Sequence, residues 1–311
     1  MPFTTPEIAL LGIGVLLLLT VLAGTLSSRF GLPALIGFLG LGMLAGEDGP
    51  GRLMFNDYLF AQFVGVICLV FILFSGGLDT AWKNVRKVAA PALVLATFGV
   101  VLSAAITGAA AIMLLDFSPL QGFLLGAVVA STDAAAVFAI LRTRGVGLRP
   151  DVQALIEFES GSNDPMAIFL VGAALMFMAV PGASVFTLVP SFLVQMAVGT
   201  VIGLLTGYLL PEVLNRAHFR YGGLGFVVSI AAALIAYGLA EVLGGNGFLG
   251  AYVAGLMAGN RVFAAKRAIS TFQDGMAWLA QVVMFLTLGL LATPSRLVDI
   301  VVPGLAITAV L

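Results

Sequence analysis

The sequence predicts an all-α integral membrane protein with about eleven membrane-spanning helices. Of its 311 residues, 61% are hydrophobic and only 9% are charged. Apolar runs of about 18 residues or more recur along the whole length, which is typical of helices that cross a bilayer. The basic residues fall mainly in alternate loops between these runs, as expected when successive loops lie on opposite sides of a membrane.

The apolar runs give the order of the predicted helices. The first run lacks the basic residues that open a cleaved signal peptide, so we interpret it as a spanning helix. The second and ninth are short and rich in glycine, which suits helices that pack closely through small residues. The predicted spans are 6–27, 32–46, 59–78, 88–115, 119–141, 152–180, 188–211, 222–243, 246–260, 272–292 and a last one from 297.

The charges in the loops predict the orientation of the chain. Only two of the 14 basic residues, Arg52 and Arg296, fall outside one alternating set of loops. Cytoplasmic loops carry the excess of Lys and Arg, so we expect a multi-pass protein of the cell inner (plasma) membrane with its N-terminus outside. The other twelve are Arg29, Lys83, Arg86, Lys87, Arg142, Arg144, Arg149, Arg216, Arg220, Arg261, Lys266 and Arg267.

Two pairs of segments indicate an internal repeat. GFLGLGMLAG at 37–46 resembles GAYVAGLMAG at 250–259, and FSGGL at 74–78 resembles LTLGL at 286–290, each about 213 residues apart. An odd number of helices separates the copies, so the two halves are expected to be inverted in the membrane. The counterparts of the fifth and sixth spans would follow Leu311. We therefore expect residues 1–311 to form a single transmembrane domain that is C-terminally incomplete.

Four ionisable residues lie well inside the predicted spans. Asp133 lies in the fifth span, and Glu157, Glu159 and Asp164 lie in the sixth. An ionisable group in a bilayer is costly unless it faces a polar interior, so such groups mark a functional site by default.

The segment ESGSNDP, residues 159–165, concentrates polar groups in the sixth span. Glu159 and Asn163 are one helical turn apart, as are Ser160 and Asp164, so each pair lies on one face of the helix. Glu157, two turns before Asp164, is a secondary candidate on the same stripe. Pro165 lacks a backbone donor, so the helix is expected to bend or open there.

A second polar stretch interrupts the fifth span. Ser131, Thr132 and Asp133 carry side chains that compete for backbone hydrogen bonds, so they are expected to weaken the helix locally. An unwound stretch enclosed by protein presents carbonyl oxygens to a cation, which is how many transporters build a site near the middle of the membrane.

The chemistry of these groups favours a hard cation. The candidate ligands are hydroxyl, carbonyl and carboxylate oxygens, with no His or thiol nearby. A buried carboxylate holds either a proton or a cation in turn, because a bound cation favours its charged form and burial favours its neutral form. The sequence predicts no cofactor, and its nearly balanced charge and lack of a basic patch exclude nucleic acid as a partner.

These motifs resemble those of the monovalent cation/proton antiporters. The resemblance rests on STDAAAVF (131–138), ESGSNDPMA (159–167), GEDGPG (46–51), FLGAYVAGLMAGN (248–260) and MFLTLGLLATPS (284–295). The most similar branch is the NhaP-type potassium/proton antiporters, also called cell volume regulation proteins. The resemblance implies an inverted-repeat fold with unwound crossing helices, thirteen spans, a homodimer, and a mobile core that moves like an elevator.

The resemblance also implies the roles of individual residues. Asp164 would carry the proton and the cation in turn, with Asn163 as its partner in an asparagine and aspartate pair. Such a pair is associated with electroneutral exchange of one K⁺ or Na⁺ for one H⁺, with K⁺ favoured, in pH and volume homeostasis. Asp133, Thr132, Glu159 and Ser160 would complete the ion site, and the monovalent cation would bind at Asp164, Thr132 and Ser160.

Three alternatives to potassium/proton exchange stay open at this point. A sodium/proton antiporter of the same fold would use the same oxygen ligands. An intramembrane aspartyl protease would use Asp133 and Asp164 as its two catalytic carboxyl groups, but it would leave the other polar residues without a role. A passive channel is disfavoured because a deep carboxylate would hold the ion that the channel must release.

Overall fold

The computed structural model describes residues 5–143, 145–180, 184–217 and 221–310, and this part of the chain is helical with no β-strand. Two predicted loop residues, Arg144 and Arg220, lie outside the described residues. The α-helices are α1 Pro6–Arg29, α2 Ala34–Ala45, α3 Tyr58–Asp79, α4 Trp82–Val85, α5 Ala89–Val94, α6 Val100–Leu115, α7 Pro119–Val129, α8 Ala134–Thr143, α9 Pro150–Ala179, α10 Leu188–Arg216, α11 Gly223–Val242, α12 Gly247–Gly259, α13 Lys266–Leu291 and α14 Pro294–Thr308.

Each predicted span corresponds to helix in the described chain, although two spans are not regular. Seven helical stretches in the described part are long and apolar enough to cross a membrane. The fourth of the predicted spans is one such stretch, in which the π-helix Leu95–Gly99 joins α5 to α6. The fifth is two helices, α7 and α8, separated at residues 130–133. The protein is therefore a multi-pass membrane protein.

Of the two outcomes predicted at Pro165, a bend or an opening of the sixth span, the opening does not occur. Pro165 lies inside α9, which continues without a break from Pro150 to Ala179. The proline is buried, and its carbonyl oxygen accepts a hydrogen bond from Asn246 Nδ2 at 3.2 Å. An opened helix in apolar surroundings would leave several backbone groups unpaired, so keeping the helix and losing one internal hydrogen bond costs less.

The chain folds as two compact units, which are described separately. The first comprises Met1–Ile72, Ala135–Gly147 and Gly275–Val301, and the second comprises Leu73–Ala134, Leu148–Asp274 and Val302–Leu311. In the first unit, the loop after α2 meets the start of α14, where the backbone N–H of Ser295 donates to Asp48 Oδ2 at 2.6 Å. This hydrogen bond holds the pKa of Asp48 below its usual value.

The predicted internal repeat appears as one helix contact that occurs twice. In the first unit, a Cβ added to Gly42 of α2 would strike the carbonyl oxygen of Leu286 in α13. In the second unit, a Cβ added to Gly255 of α12 would strike the carbonyl oxygen of Phe74 in α3. The return contacts also correspond, since Gly289 abuts the Leu39 carbonyl and the Met43 nitrogen, and Gly77 abuts the Tyr252 carbonyl and the Leu256 nitrogen.

An apolar cluster in the second unit holds the helices around the polar residues together. Ala104 of α6, Ala127 of α7 and Ala167 of α9 are among its buried members. α6 and α7 approach closely at glycine, because a Cβ on Gly108 would lie 2.9 Å from the carbonyl oxygen of Gly122. This packing fixes the end of α7, and hence the start of the broken segment, against the middle of α9.

Candidate functional site

The candidate site is built around the four-residue break between α7 and α8. Ala130 to Asp133 are not helical, as the polar stretch predicted. One side chain of α9 forms hydrogen bonds with two backbone groups at this break. Ser160 Oγ donates to the Thr132 carbonyl at 2.9 Å and accepts from the Ala134 N–H at 3.1 Å. Ser160 therefore ends the break and starts α8.

Asn163 joins the broken segment to α9 with every polar atom of its amide. Its Nδ2 donates to Thr132 Oγ1 at 2.6 Å and to Glu159 Oε1 at 3.1 Å. Its Oδ1 accepts from Ser131 Oγ at 2.9 Å. The side chain has no exposed surface. The hydrogen bonds of the Asn163 amide are thus all made within the protein. This geometry suits a residue that positions the side chains of Ser131, Thr132 and Glu159.

Glu159 and Thr132 extend this network. Thr132 Oγ1 donates to Glu159 Oε2 at 3.1 Å, so each oxygen of the Glu159 carboxylate accepts one hydrogen bond. Because Glu159 and Asn163 are one turn apart on α9, the predicted pairing on one helix face is confirmed. The network fixes the direction of Thr132, whose side chain is otherwise exposed.

Asp164 occupies the centre of the polar cluster. Its Oδ1 is in hydrogen-bond contact with Ser131 Oγ, whose single proton also faces Asn163 Oδ1. The charged groups that act on it are the carboxylates of Asp133 and Glu159. Three carboxylates close to one another in a membrane protein need a proton or a cation to offset their repulsion.

Two contacts support α9 from the side of α12. Asn246, buried before α12, accepts from the Leu249 N–H at 2.9 Å and so caps that helix. The same side chain donates to the carbonyl of Pro165, the residue after Asp164. One turn earlier, the ring of Tyr252 covers Gly161, where a Cβ would lie 2.6 Å from the ring carbon Cε2. α12 therefore fixes the backbone on both sides of the carboxyl-bearing turn.

The arrangement suits a monovalent cation better than a divalent metal. Within the described ranges no group of three or more His, Cys, Asp or Glu side chains is placed to hold a metal ion. A monovalent cation needs less charge, and carboxylate, hydroxyl and carbonyl oxygens are the ligands that a hard cation prefers. Asp164, Asp133, Thr132 and the carbonyls of the broken segment supply such oxygens.

The structure brings together the six residues predicted for the ion site and adds a seventh. Thr132, Ser160, Asn163 and Glu159 share hydrogen bonds, and Asp133 and Asp164 lie beside them. Ser131 was not assigned to the site, although its hydroxyl is the one that contacts Asp164. Its position beside Thr132 was the available signal, but sequence spacing could not tell which of the two hydroxyls faces α9.

Glu157 lies apart from this network. Its carboxylate accepts from Gln153 Nε2 at 2.8 Å, and its charged or ionisable neighbours are Asp79 and Tyr252. Glu157 and Asp164 lie on the same face of α9, because two helical turns separate them. The distance between them along the helix axis is about 10 Å. Glu157 is therefore a neighbour of the site along α9, and its carboxylate contacts Gln153 on the same helix.

Comparison with known proteins gives one family. The model of the transmembrane sodium/hydrogen exchanger family matches residues 15–311. A K(+)/H(+) antiporter NhaP2 from Shewanella oneidensis is 45% identical over 291 residues, which cover 93% of this chain and 50% of the relative. A K(+)/H(+) antiporter NhaP from Alkalimonas amylolytica is 41% identical over 305 residues, covering 98% of this chain and 53% of the relative.

A more distant relative and a solved structure also match the chain. A Na(+)/H(+) antiporter ApNhaP from Aphanothece halophytica is 29% identical over 228 residues, covering 70% of this chain and 42% of the relative. The solved structure of the sodium proton antiporter MjNhaP1 from Methanocaldococcus jannaschii superimposes with a TM-score of 0.79 at 23% identity, covering 97% of this chain and 77% of that chain. The chain spans about half the length of the curated relatives that it matches.

Proposed function

Because the chain belongs to the sodium/hydrogen exchanger family, we propose that it exchanges a monovalent cation for a proton across a membrane. Potassium is the favoured cation, since relatives at 41% and 45% identity are described as K(+)/H(+) antiporters and the Na(+)/H(+) antiporter is more distant at 29%. Membership of a transporter family argues against the alternative of an intramembrane aspartyl protease that uses Asp133 and Asp164.

The observation that supports this function best is the placement of Asp164 at the broken segment. Its carboxyl group contacts the Ser131 hydroxyl there, and the carboxylates of Asp133 and Glu159 act on it. A carboxylate in that setting must bind a positive species. Both a cation and a proton meet this requirement, and each excludes the other at the same oxygens.

Competition for Asp164 produces exchange when the site opens to each side of the membrane in turn. A cation that binds the charged carboxylate is carried across and released when a proton takes its place, and the proton returns the other way. One carboxylate that swaps one proton for one monovalent ion keeps the charge of the site constant, so the exchange is electroneutral. Asn163, Ser131 and Ser160 hold the broken segment and α9 in register during this cycle.

Three further features belong to the same proposal. The protein forms a homodimer, and a mobile core that contains the ion site moves like an elevator against the rest. It resides in the cell inner (plasma) membrane with its N-terminus outside, which the distribution of basic residues supports. Asp164, Asn163, Asp133, Thr132, Glu159 and Ser160 form the site, with the cation bound at Asp164, Thr132 and Ser160.

The test is proton movement driven by a cation gradient in vesicles that contain the purified protein. We expect K⁺ to drive proton movement that falls to the level of protein-free vesicles in Asp164→Asn, because the amide cannot bind either ion in turn. Asp151→Asn is the matched control, since Asp151 is exposed and pairs with Arg149 at 2.7 Å near the start of α9. Parallel gradients of Na⁺ and Li⁺ test the selectivity.

Two results would contradict the proposal. Wild-type rates in Asp164→Asn would exclude this carboxylate as the carrier. A wild-type protein that moves protons with no cation gradient of any kind, or not at all with any of the three cations, would exclude exchange itself.

A further inference from the structure

A second group of carboxylates lies in the same unit as the ion site and has no part in it. Asp79 ends α3, Asp274 lies in α13, and Glu157 lies two turns before Asp164 in α9. Ser75 Oγ donates to Asp274 Oδ1 at 3.0 Å. The Asp79 carboxyl group lies within hydrogen-bonding reach of that of Asp274, and Glu157 is the next charge that acts on it. We call Asp79, Asp274 and Glu157 the outer acidic cluster.

Tyr252 points a buried hydroxyl group toward this cluster. The residue is only 3% exposed, and its hydroxyl has no hydrogen-bond partner within the described chain. Its neighbours are Glu157 and Thr80, and the Thr80 hydroxyl donates its own proton to the Gly76 carbonyl at 2.7 Å. A buried phenol without a partner costs free energy, so its presence calls for a reason other than packing.

The hydroxyl group of Tyr252 also reaches the helix that carries the ion site. It lies 3.0 Å from the position that a Cβ on Gly161 would occupy. Gly161 follows Glu157 by one turn and precedes the turn of Asp164, so the phenol lies between the two carboxylates along α9. Because Gly161 has no side chain, the phenol approaches the helix closely.

Exposure falls along these groups from Asp79 to Tyr252. Asp79 is exposed, Asp274 and Glu157 are half-buried, and Tyr252 is buried. α3 is followed by Lys83 and Arg86 in the loop set that we assign to the cytoplasm. The polar groups therefore lead from the basic-loop side of the membrane inward to α9.

The internal repeat indicates that these polar groups are not needed for packing. The contact between α3 and α12 has its counterpart between α13 and α2, where Leu39 stands in place of Tyr252 and abuts Gly289 as Tyr252 abuts Gly77. By the same correspondence Leu291 stands in place of Asp79. Apolar side chains thus serve the same helix contact, and only one copy carries ionisable groups.

We propose that the outer acidic cluster and Tyr252 form a proton pathway between the basic-loop side of the membrane and Asp164. The inference rests on the proposed exchange function. Asp79 and Asp274 collect a proton from solution and pass it to Glu157. The Glu157 carboxyl group gives this proton to Tyr252 Oη while the phenol releases its own proton toward Asp164, so the phenol is regenerated and Glu157 becomes charged again. The reverse sequence releases a proton outward.

The ligand of this pathway is the proton and not a metal ion. The described residues contain no group of three ionisable ligands placed to chelate one. Two carboxyl groups within hydrogen-bonding reach hold a proton between them readily, because they cannot both stay charged at low cost. Lys266, at the start of α13, donates to the carbonyls of Gly259 and Arg261.

The decisive variant is Tyr252→Phe, measured in vesicles as cation-driven proton flux across a range of pH. It removes one oxygen atom that has no hydrogen-bond partner, so a purely structural tyrosine predicts unchanged flux and equal or greater thermal stability. The pathway predicts a maximum rate lower by roughly tenfold or more, since a positioned proton-transfer group typically contributes about a hundredfold. The loss should be greatest at alkaline pH, where protons are scarce, with an unchanged half-saturating K⁺ concentration.

Control variants separate the pathway from the ion site. Tyr221→Phe makes the same chemical change at an exposed tyrosine and should leave the flux at the wild-type level. Glu157→Gln should reproduce the effect of Tyr252→Phe. Normal flux at every pH in both Tyr252→Phe and Glu157→Gln would overturn the pathway. Should Asp164→Asn abolish exchange in the same assay, the proposed function would stand while the pathway falls.

Discussion

Ser131 shows how much of the candidate ion site depends on one hydroxyl group. It contacts both Asn163 and Asp164, the two residues of the pair that the sequence singled out. The neighbouring Thr132 instead contacts Asn163 and Glu159. The two hydroxyls thus connect the broken segment to different parts of α9.

We predict that Ser131→Ala weakens cation binding without unfolding the protein. The charged form of Asp164 loses a donor, so a proton competes better for it and more K⁺ is needed at a given pH. A hydrogen bond to a charged group is worth about 1.5 kcal/mol or more, so the half-saturating K⁺ concentration should rise roughly tenfold. Flux measured against K⁺ concentration checks this, with Ser103→Ala in α6 as the control.

The types of site residue were predictable, but their pairwise geometry was not. Helical spacing correctly placed Glu159 with Asn163, since both lie on α9. Contacts across to the broken segment depend on the direction of residues 130–133, and a non-helical backbone has no period from which to derive it. Ser131 was missed for the same reason. Glu157 was predicted as a secondary candidate for the site, and its ionisable neighbours in the structure are Asp79 and Tyr252.

At the scale of the helices, the break in the fifth span and the continuity of the sixth have a common physical basis. The break persists because side chains of α9 satisfy its backbone groups, as Ser160 does for Thr132 and Ala134. At Pro165 the side-chain amide of Asn246 donates a hydrogen bond to the Pro165 carbonyl. A helix opens in a membrane only where other groups of the protein form hydrogen bonds with the backbone N–H and C=O groups that the opening exposes. The sequence identifies residues that weaken a helix. It does not identify the side chains of neighbouring helices that form hydrogen bonds with the freed backbone groups.

The two adjacent glycines of α3 make a test of the close contact with α12. A Cβ on Gly77 would strike backbone atoms of Tyr252 and Leu256, whereas one on Gly76 would meet nothing within 4 Å. We predict that Gly77→Ala lowers the stability of the solubilised protein by about 1–3 kcal/mol through overpacking. Gly76→Ala should be neutral or slightly stabilising, because alanine favours helix. Thermal unfolding in detergent compares the two; equal melting temperatures would contradict the contact.

At the scale of the whole molecule, the hydropathy pattern was sufficient to locate the helices because bilayer thickness sets their length. The repeat was predictable from glycines, since a close helix contact admits no larger side chain at those positions. Sequence alone could not show which helices the glycines join. That pairing, α2 with α13 and α3 with α12, depends on how distant parts of the chain fold together.

The charge pattern also predicts which loops are accessible from each side. In cells that express a Cys68→Ala background, a membrane-impermeant thiol reagent should label Met54→Cys, in the loop between α2 and α3, without permeabilisation. Gly147→Cys, in the loop between α8 and α9, should react only after the membrane is opened. The opposite pattern would reverse the orientation. Cys68 is buried and is the chain's one cysteine, so its replacement leaves a clean background.

If the protein exchanges cations as proposed, the fully hydrogen-bonded amide of Asn163 restricts how it distinguishes one alkali metal from another. An ion that drew on the Asn163 oxygen would first have to displace the Ser131 hydroxyl from it, at a cost of about 1–3 kcal/mol for a buried polar group left without its partner. In the proposed exchange, discrimination between a larger and a smaller ion therefore falls to the oxygens of Asp164, Thr132 and Ser160. Exchanging side chains in the asparagine and aspartate pair would then abolish transport more readily than it would convert a potassium carrier into a sodium carrier.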